Sequence, residues 1–396
     1  MEQGKKFRQI IKKLKTRNSP LRRSVLMALL SVLLIICIPM FSFINELYIV
    51  TQSINTVGMN AQVSEEDLEQ YRLDDTDETL SDSDISVIED ANAQIAAFME
   101  ANKEPIKTDD DGIINILLIG CDSNTYEGYL RSDSMIILSV DTVRSKVKLV
   151  SLMRDMRVQI GDRGSYDKLN AAFAYDSSGQ LLLKTIEKNF LVHIDDFVCI
   201  NYRAFKDAVD ALGGVRVTVE EGDIEAINKC ISDEIHHITH AGEQLLDGPQ
   251  TLGFCQMRKV GTDVARTARQ RIVMTELLNM AQDMSLTDIK ELIEATLPNV
   301  MTNMTQGELF YLALQAASLD NISIQELRIP IDRSWDDLVV DGRWYISFNH
   351  QKNVDALHEM IYGDAERAAA EKAAAEQAAA EASGSDSVTA TDADTE

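Results

Sequence analysis

Residues 24–44 carry no charge and are dominated by Leu, Ile, Val, Met and Phe, a run of 21 residues. About 20 such residues cross a bilayer as a helix, and Pro39 near the outer end is tolerated. The exit, Phe41-Ser42-Phe43-Ile44-Asn45, lacks a signal-peptide cleavage motif, so an uncleaved anchor is expected. Beyond it the pattern breaks into shorter periods. Apolar runs bounded by turn signals predict strands over 113–120, 135–141, 146–152, 196–202 and 215–219. Helical spacing predicts helices over 168–175, 179–189, 202–212 and 266–284, with further helices across 286–319. The chain then reads as strands over 322–329 and 344–348 and a closing helix over 353–362. Alternation of the two periods predicts an α/β fold, one layered domain with a central mixed β-sheet flanked by helices.

Polar composition places that domain. Residues 51–111 are acidic and poor in aromatics, apart from an amphipathic stretch at 85–101 that suits a helix. Residues 45–111 are therefore expected to form an acidic stalk outside the membrane. From 364 to 396 the chain runs through Ala/Glu/Lys repeats into a Ser/Thr/Asp tail with nothing to bury, which leaves 112–363 as the folded domain. Residues 1–23 hold nine basic side chains against Glu2, so the rest of the chain carries −34 of a total of −26. The basic flank puts residues 1–23 in the cytoplasm and the domain outside, in a single-pass cell-membrane protein. A body this acidic repels phosphate backbones, which excludes nucleic acid as a general partner. Any anion it does bind needs a local cluster of cations.

The cysteines build no such site. Cys37 falls in the apolar run, and Cys121, Cys199, Cys230 and Cys255 lack C-x-x-C spacing, so neither zinc nor a disulfide framework is expected. No G-x-S-x-G, P-loop or Rossmann glycine pattern occurs either. Charges instead gather at strand ends. The first strand runs into Cys121-Asp122-Ser123, Arg131-Ser132-Asp133 opens the second, and the third ends in Met153-Arg154-Asp155. Lys168 and Asn170 are expected to open a helix. Arg258, Lys259, Asp263, Arg266, Arg269, Gln270 and Arg271 lie close in sequence, with Arg266, Arg269 and Gln270 sharing a helical face. Ligands of open α/β sheets sit beyond strand ends. Arginine forks match phosphate oxygens, and Mg²⁺ (or Mn²⁺) takes one or two carboxylates and fills its shell with phosphate and water. A pyrophosphate fits this set; a network of surface salt bridges is the competing explanation. His236, His237 and His240 read as a surface loop, Tyr126 and Tyr129 as packing or entrance residues, and Met135, Met153 and Met257 as core.

Residues 113–284 resemble the LytR-CpsA-Psr family of Gram-positive envelope proteins. The resemblance is carried by residues 117–123 (Leu-Leu-Ile-Gly-Cys-Asp-Ser), 131–136 (Arg-Ser-Asp-Ser-Met-Ile) and 150–155 (Val-Ser-Leu-Met-Arg-Asp). It continues through 168–175 (Lys-Leu-Asn-Ala-Ala-Phe-Ala-Tyr), 210–215 (Asp-Ala-Leu-Gly-Gly-Val), 244–252 (Gln-Leu-Leu-Asp-Gly-Pro-Gln-Thr-Leu) and the basic run 257–271. It implies transfer of a glycopolymer from a polyprenyl-pyrophosphate carrier to peptidoglycan, with membrane lipid as a further partner. It also implies roles for single residues. Asp122 and Asp133 would hold Mg²⁺. Arg131, Arg154, Lys168 and Arg258 would grip the pyrophosphate, and Asp263, Arg266 and Gln270 would complete the site. Asp133, Arg154, Arg258 and Asp263 would be catalytic, with Asp133 or Asp263 as general base. The prenyl chain would lie in an apolar tunnel between sheet and helices. The chain departs from the family at three points: Met153 stands for a usual Pro, Asn124 for an Arg, and Gln256 for the first Arg of Arg-x-Arg. One phosphate contact, at Gln256, is thereby neutral, with Lys259 a candidate to compensate. A non-catalytic envelope protein that binds lipid-linked or wall glycans as scaffold or regulator is the alternative.

Overall fold

The computed structural model describes residues 55–56, 82–103, 112–126, 130–162, 164–258, 263–282, 299–305, 323–340 and 343–364, with single helical positions at 292, 296 and 308. The expected membrane segment at 24–44, the basic tail, most of 286–319 and the tail beyond 364 lie outside the described residues. Among the described residues no helix is long and apolar enough to cross a membrane.

The strands are, in chain order, β1 (Asn55–Thr56), β2 (Ile113–Cys121), β3 (Ser132–Asp141), β4 (Lys146–Leu152), β5 (Arg157–Gln159), β6 (Tyr166–Lys168) and β7 (Asp196–Ile200). They continue as β8 (Val215–Val219), β9 (Gly242–Leu246), β10 (Val300–Thr302), β11 (Ser323–Ile329), β12 (Trp335–Val340) and β13 (Arg343–Phe348). The helices are α1 (Asp82–Ala101), α2 (Ala171–Tyr175), α3 (Gln180–Phe190), α4 (Tyr202–Ala211), α5 (Ile224–Asn228), α6 (Gly248–Gln256) and α7 (Asp263–Gln282), followed by α8 at 350–364.

Seven strands form the central sheet in the order β1-β10-β7-β2-β3-β4-β11. It is mixed: β2 runs parallel to β7 and antiparallel to β3, and β11 runs parallel to β4. This is the expected α/β layer structure. β2 is apolar almost throughout because both of its faces are covered, which is what makes it legible as an unbroken run.

The two faces differ in what covers them. On one face Leu117, Ile119, Ile137, Val150, Phe197 and Cys199 pack into a dry core against Ile186 and Phe190 of α3 and Leu357 and Ile361 of α8. On the other face Leu118 lies beside Ile136 and Val198, and Gly120 beside Ile200. A second core does not fill that face. Val215, Val217 and Val219 of β8 pack with Val209 of α4, Ile227 of α5, Phe254 of α6 and Val273 of α7. Two helix ends here are fixed locally. Asn201 caps α4 by accepting from the Ala204 amide at 2.8 Å, and Asp247 and Gln250 form a capping box on α6 with Pro249 in its first turn. Gly214, with φ +99°, packs so tightly that a Cβ would stand 2.8 Å from the Leu246 carbonyl.

Three expectations are corrected. Residues 82–101, read as part of a stalk, form a helix docked on the domain. Ile95 and Phe98 are buried, Ile88 and Ala91 pack on Leu338 and Tyr345, and Asn92 Oδ1 accepts two hydrogen bonds from Arg157 at 3.1 Å each. The apolar positions recur at helical spacing, so the acidic composition marks only the outer face. Lys168 does not open a helix; it ends β6, paired with Arg157 of β5, and the helix starts at Ala171. Asp364, expected to begin the tail, ends α8 with its carboxylate 2.9 Å from Lys146 Nζ and 3.6 Å from the fully buried Lys148 Nζ.

Candidate functional site

Between the half-covered sheet face and the α4–α7 layer lies a cavity of about 910 Å³. Its walls are apolar at Leu118, Ile136, Val198, Ile200, Phe205, Leu252, Val273 and Met274. They are polar at Asp133, Tyr202, Lys229, Gln256, Arg258, Arg266 and Gln270. Ligand cavities of this size are usually apolar with a few placed polar groups. Here four of the seven, Asp133, Lys229, Arg258 and Arg266, are charged.

Backbone irregularity delivers the first carboxylates. β2 and β3 pair Gly120 with Ser134 and then Cys121 with Ser132, so Asp133 is the extra residue of a bulge. Bulges re-aim side chains, and this one turns Asp133 into the cavity. Asp122 follows on the partner strand. Its Oδ1 accepts from the Arg131 backbone amide at 3.0 Å, which fixes the loop between the strands at its open end. The Arg131 side chain is exposed beside it.

Arg154, at the end of β4, ties three carboxylates together. It is ion-paired with Asp133 Oδ1, and its Nε lies 3.3 Å from Asp155 Oδ2 and 3.9 Å from Asp263 Oδ1. Burial alone would lower the Arg154 guanidinium, but Asp133, Asp155 and Asp263 outweigh it and hold the group above its ordinary value. Lys168 Nζ sits 2.7 Å from the other oxygen of Asp155, so it reaches the site only through that carboxylate.

Arg266 is the most enclosed cation lining the cavity, 2% exposed. Its Nη2 is 2.9 Å from Asp263 Oδ1 and donates to the Asp133 carbonyl at 3.2 Å. Its buried Nε has no partner among the described residues. A buried guanidinium N–H without an acceptor costs about 1–3 kcal/mol, and a phosphate oxygen in the cavity would supply one.

Not every member of the basic run takes part. Arg269 donates to the Phe254 and Met257 carbonyls and so caps the end of α6, while Arg271 pairs with Glu326 at 3.1 Å. Gln256, Arg258 and Gln270 do line the cavity. Lys259 and Tyr129 lie outside the described residues. Tyr126 donates at 2.7 Å toward the Cys199 and Asn299 carbonyls, a brace rather than an entrance residue. His236, His237 and His240 turn to separate partners: Asp247 at 2.6 Å, the Ile231 carbonyl at 3.3 Å and Thr239 at 3.4 Å.

Tyr202 is a site residue that sequence reasoning missed. It is the first residue of α4, one residue beyond β7, and its side chain lies beside Gln256. Burial first, and then the fields of Asp133 and Asp122, push its hydroxyl up to about 12 against the opposing effect of Gln256. Both carboxylates thus act on one point.

The sequence profile of the LytR_cpsA_psr family matches residues 78–361. The chain belongs to the LytR-CpsA-Psr family. Among its relatives is the polyisoprenyl-teichoic acid–peptidoglycan teichoic acid transferase TagU of Bacillus cereus (strain AH820). It is 34% identical over 236 residues, covering 59% of this chain and 73% of TagU. TagU of Oceanobacillus iheyensis is 30% identical over 276 residues, covering 64% of this chain and 81% of that protein. A structure of TagT bound to LIIa-WTA superposes with a TM-score of 0.54 at 25% identity, covering 65% of this chain and 94% of that one. The structure of Bacillus subtilis TagV gives 0.51 at 27% identity, covering 64% and 98%. The family match begins at residue 78 and so includes α1, in keeping with the docked helix.

The LytR-CpsA-Psr motifs resolve into three groups. Asp133, Gln256, Arg258, Arg266 and Gln270 face the cavity. Arg154 and Asp263 stand behind Asp133 and Arg266 as their ion partners. Asp122, Arg131 and Lys168 do not line the cavity: the first two sit at the open strand ends, and Lys168 backs Asp155. A cation such as Mg²⁺ takes one or two carboxylates with phosphate and water completing its shell, and Asp122 and Asp133 are the carboxylates at the β2–β3 strand ends. No group of three or more His, Cys, Asp or Glu able to cage a metal occurs among the described residues.

Proposed function

We propose that this protein transfers a glycopolymer from a polyprenyl-pyrophosphate carrier to peptidoglycan, forming a phosphodiester, outside the membrane of a Gram-positive bacterium. The observation that carries this is the cavity itself, apolar along its length and charged at the strand ends, with the Arg266 Nε left without an acceptor among the described residues. A lipid tail matches the first part and a pyrophosphate the second. The relatives named as teichoic acid transferases support the reaction class.

The uncharged run at 24–44 anchors the chain, with residues 1–23 in the cytoplasm and the domain outside, beside the lipid carrier. Arg258 and Arg266 grip the pyrophosphate, and Arg154 holds Asp133 and Asp263 in place. Arg131 and Lys168 add positive charge at the edge. Asp122 and Asp133 would hold Mg²⁺ (or Mn²⁺), which neutralises charge on the phosphate oxygens when bound. A peptidoglycan sugar hydroxyl attacks the phosphorus that bears the polymer. The bond from that phosphorus to the bridging oxygen breaks, and polyprenyl phosphate leaves with the electron pair. The hydroxyl proton passes to Asp133 or Asp263, the two site carboxylates that share Arg154. The carrier's own pyrophosphate bond supplies the energy, and positioning with charge neutralisation supplies the rate.

The test is incubation of purified protein with a synthetic polyprenyl-pyrophosphate glycan, uncrosslinked peptidoglycan and Mg²⁺. Polymer covalently attached to peptidoglycan, lost in Asp133→Asn, is the expected result. Tight carrier binding with no transfer under any divalent ion would favour the scaffold reading instead.

A further inference from the structure

We propose that Tyr202 and Gln256 act together as a neutral phosphate-binding pair. In this pair the Tyr202 hydroxyl donates a hydrogen bond to the lipid-side phosphate as it leaves, and Gln256 fixes the direction of that hydroxyl. The inference rests on the transfer reading of the site.

Three observations on different elements converge. Tyr202 opens α4 and Gln256 ends α6, two helices that pack on each other. Both side chains line the cavity that also holds Asp133, Arg258 and Gln270, with Gln256 beside Tyr202. One turn further along α4 the wall becomes Phe205, with Ile200 and Val198 on the adjoining strand. Tyr202 therefore stands where the polar mouth meets the apolar length. In a carrier lying along the cavity, the phosphate next to the prenyl chain sits at that junction.

The chemistry follows from the hydrogen-bond inventory. A carboxamide N–H can donate to the phenol oxygen, which leaves the phenol's own O–H for a second acceptor. When the bridging bond breaks, its oxygen stays with the polyprenyl phosphate, which gains a negative charge. The Tyr202 hydroxyl donates to that phosphate and keeps its proton. The interaction strengthens as charge develops, so it belongs more to the transition state than to the bound carrier. A neutral pair also explains how a site lacking a cation at position 256 still contacts the leaving group. An arginine there would hold the charged product as well as stabilise its departure.

The test measures kcat and KM for the full-length protein with a synthetic polyprenyl-pyrophosphate glycan and uncrosslinked peptidoglycan, alongside melting temperatures. Tyr202→Phe, which removes one oxygen, should lower kcat by about 10- to 100-fold with KM little changed. Gln256→Ala should lower kcat less, and should add almost nothing in the Tyr202→Phe background, because the two act as one unit. Gln256→Arg should tighten binding of polyprenyl phosphate added as a product inhibitor. Tyr202→Phe at the wild-type kcat, or effects of the two variants that simply add, would overturn the inference. If Arg154→Ala abolishes transfer while Tyr202→Phe does not, the inference falls and the reading of the site stands. If the wild-type protein transfers nothing, both fall.

Discussion

Replacing Arg154 by Ala removes the guanidinium on which the site's carboxylates converge. Its side chain is 17% exposed and faces Asp133, Asp155 and Asp263, whose side chains are 25%, 9% and 9% exposed. The loss is uneven. Asp155 keeps Lys168 at 2.7 Å and Asp263 keeps Arg266 at 2.9 Å, so only Asp133 loses its ion partner. Stripping a fully buried pair of one member costs about 3–5 kcal/mol and an exposed pair about 0–1 kcal/mol. A carboxylate a quarter exposed falls between, at about 1–3 kcal/mol. A domain with about 5–15 kcal/mol of stability survives that and stays almost wholly folded at 25 °C. Transfer, in contrast, should fall by about 10²–10³, the cost of one preorganised electrostatic contact in an enclosed site. The assay is single-turnover transfer of a labelled glycopolymer, run beside a thermal melt of the same preparation. Arg154→Lys keeps the charge without the fork and should recover part of the rate. Transfer at the wild-type rate in Arg154→Ala would refute the assignment. So would a loss of rate that merely tracks the unfolded fraction.

Other outcomes follow from particular contacts. Truncation after residue 363 should lower the melting temperature, because Asp364 is an ion partner of the fully buried Lys148, whereas truncation after residue 364 should not. His350 is buried against Phe98 and Phe348 and burial lowers it to about 4, so the unfolded chain binds its proton first as pH falls. Stability should therefore drop by about 3 kcal/mol between pH 6.5 and pH 4 on this account. Asp196, raised by burial to about 6, acts in the opposite sense, so the measurement compares denaturation of the wild type with His350→Phe at both pH values, where the Asp196 contribution cancels. A flat difference between the two chains would refute it. Protease added to intact protoplasts should remove the domain and spare residues 1–23; protection of the domain would overturn the topology.

The sequence pattern exposed those elements whose burial leaves a periodic trace, and hid those held mainly by pairing. β2, β3, β4 and β11 belong to one sheet and read as apolar runs close to their observed limits. β5 (Arg-Val-Gln) and β9 (Gly-Glu-Gln-Leu-Leu) carry no such trace, since only their neighbours β6 and β8 make them strands. The helix at 248–256 was missed, because its signal is the capping set Asp247, Pro249 and Gln250 and not an apolar period. In the site, carboxylates and cations at strand ends were visible because such ends face ligands in open α/β sheets. The division of labour along α7 was not. Arg266 and Gln270 are four residues apart and face the cavity, whereas Arg269 turns to the end of α6, a contact that exists only once the two helices pack. Tyr202 escaped for a related reason. The helix was expected to start at 202, as it does, but only its packing against α6 across the cavity gives that tyrosine a place in the site. What sequence left out was therefore the phase and the junctions of elements, which tertiary packing sets.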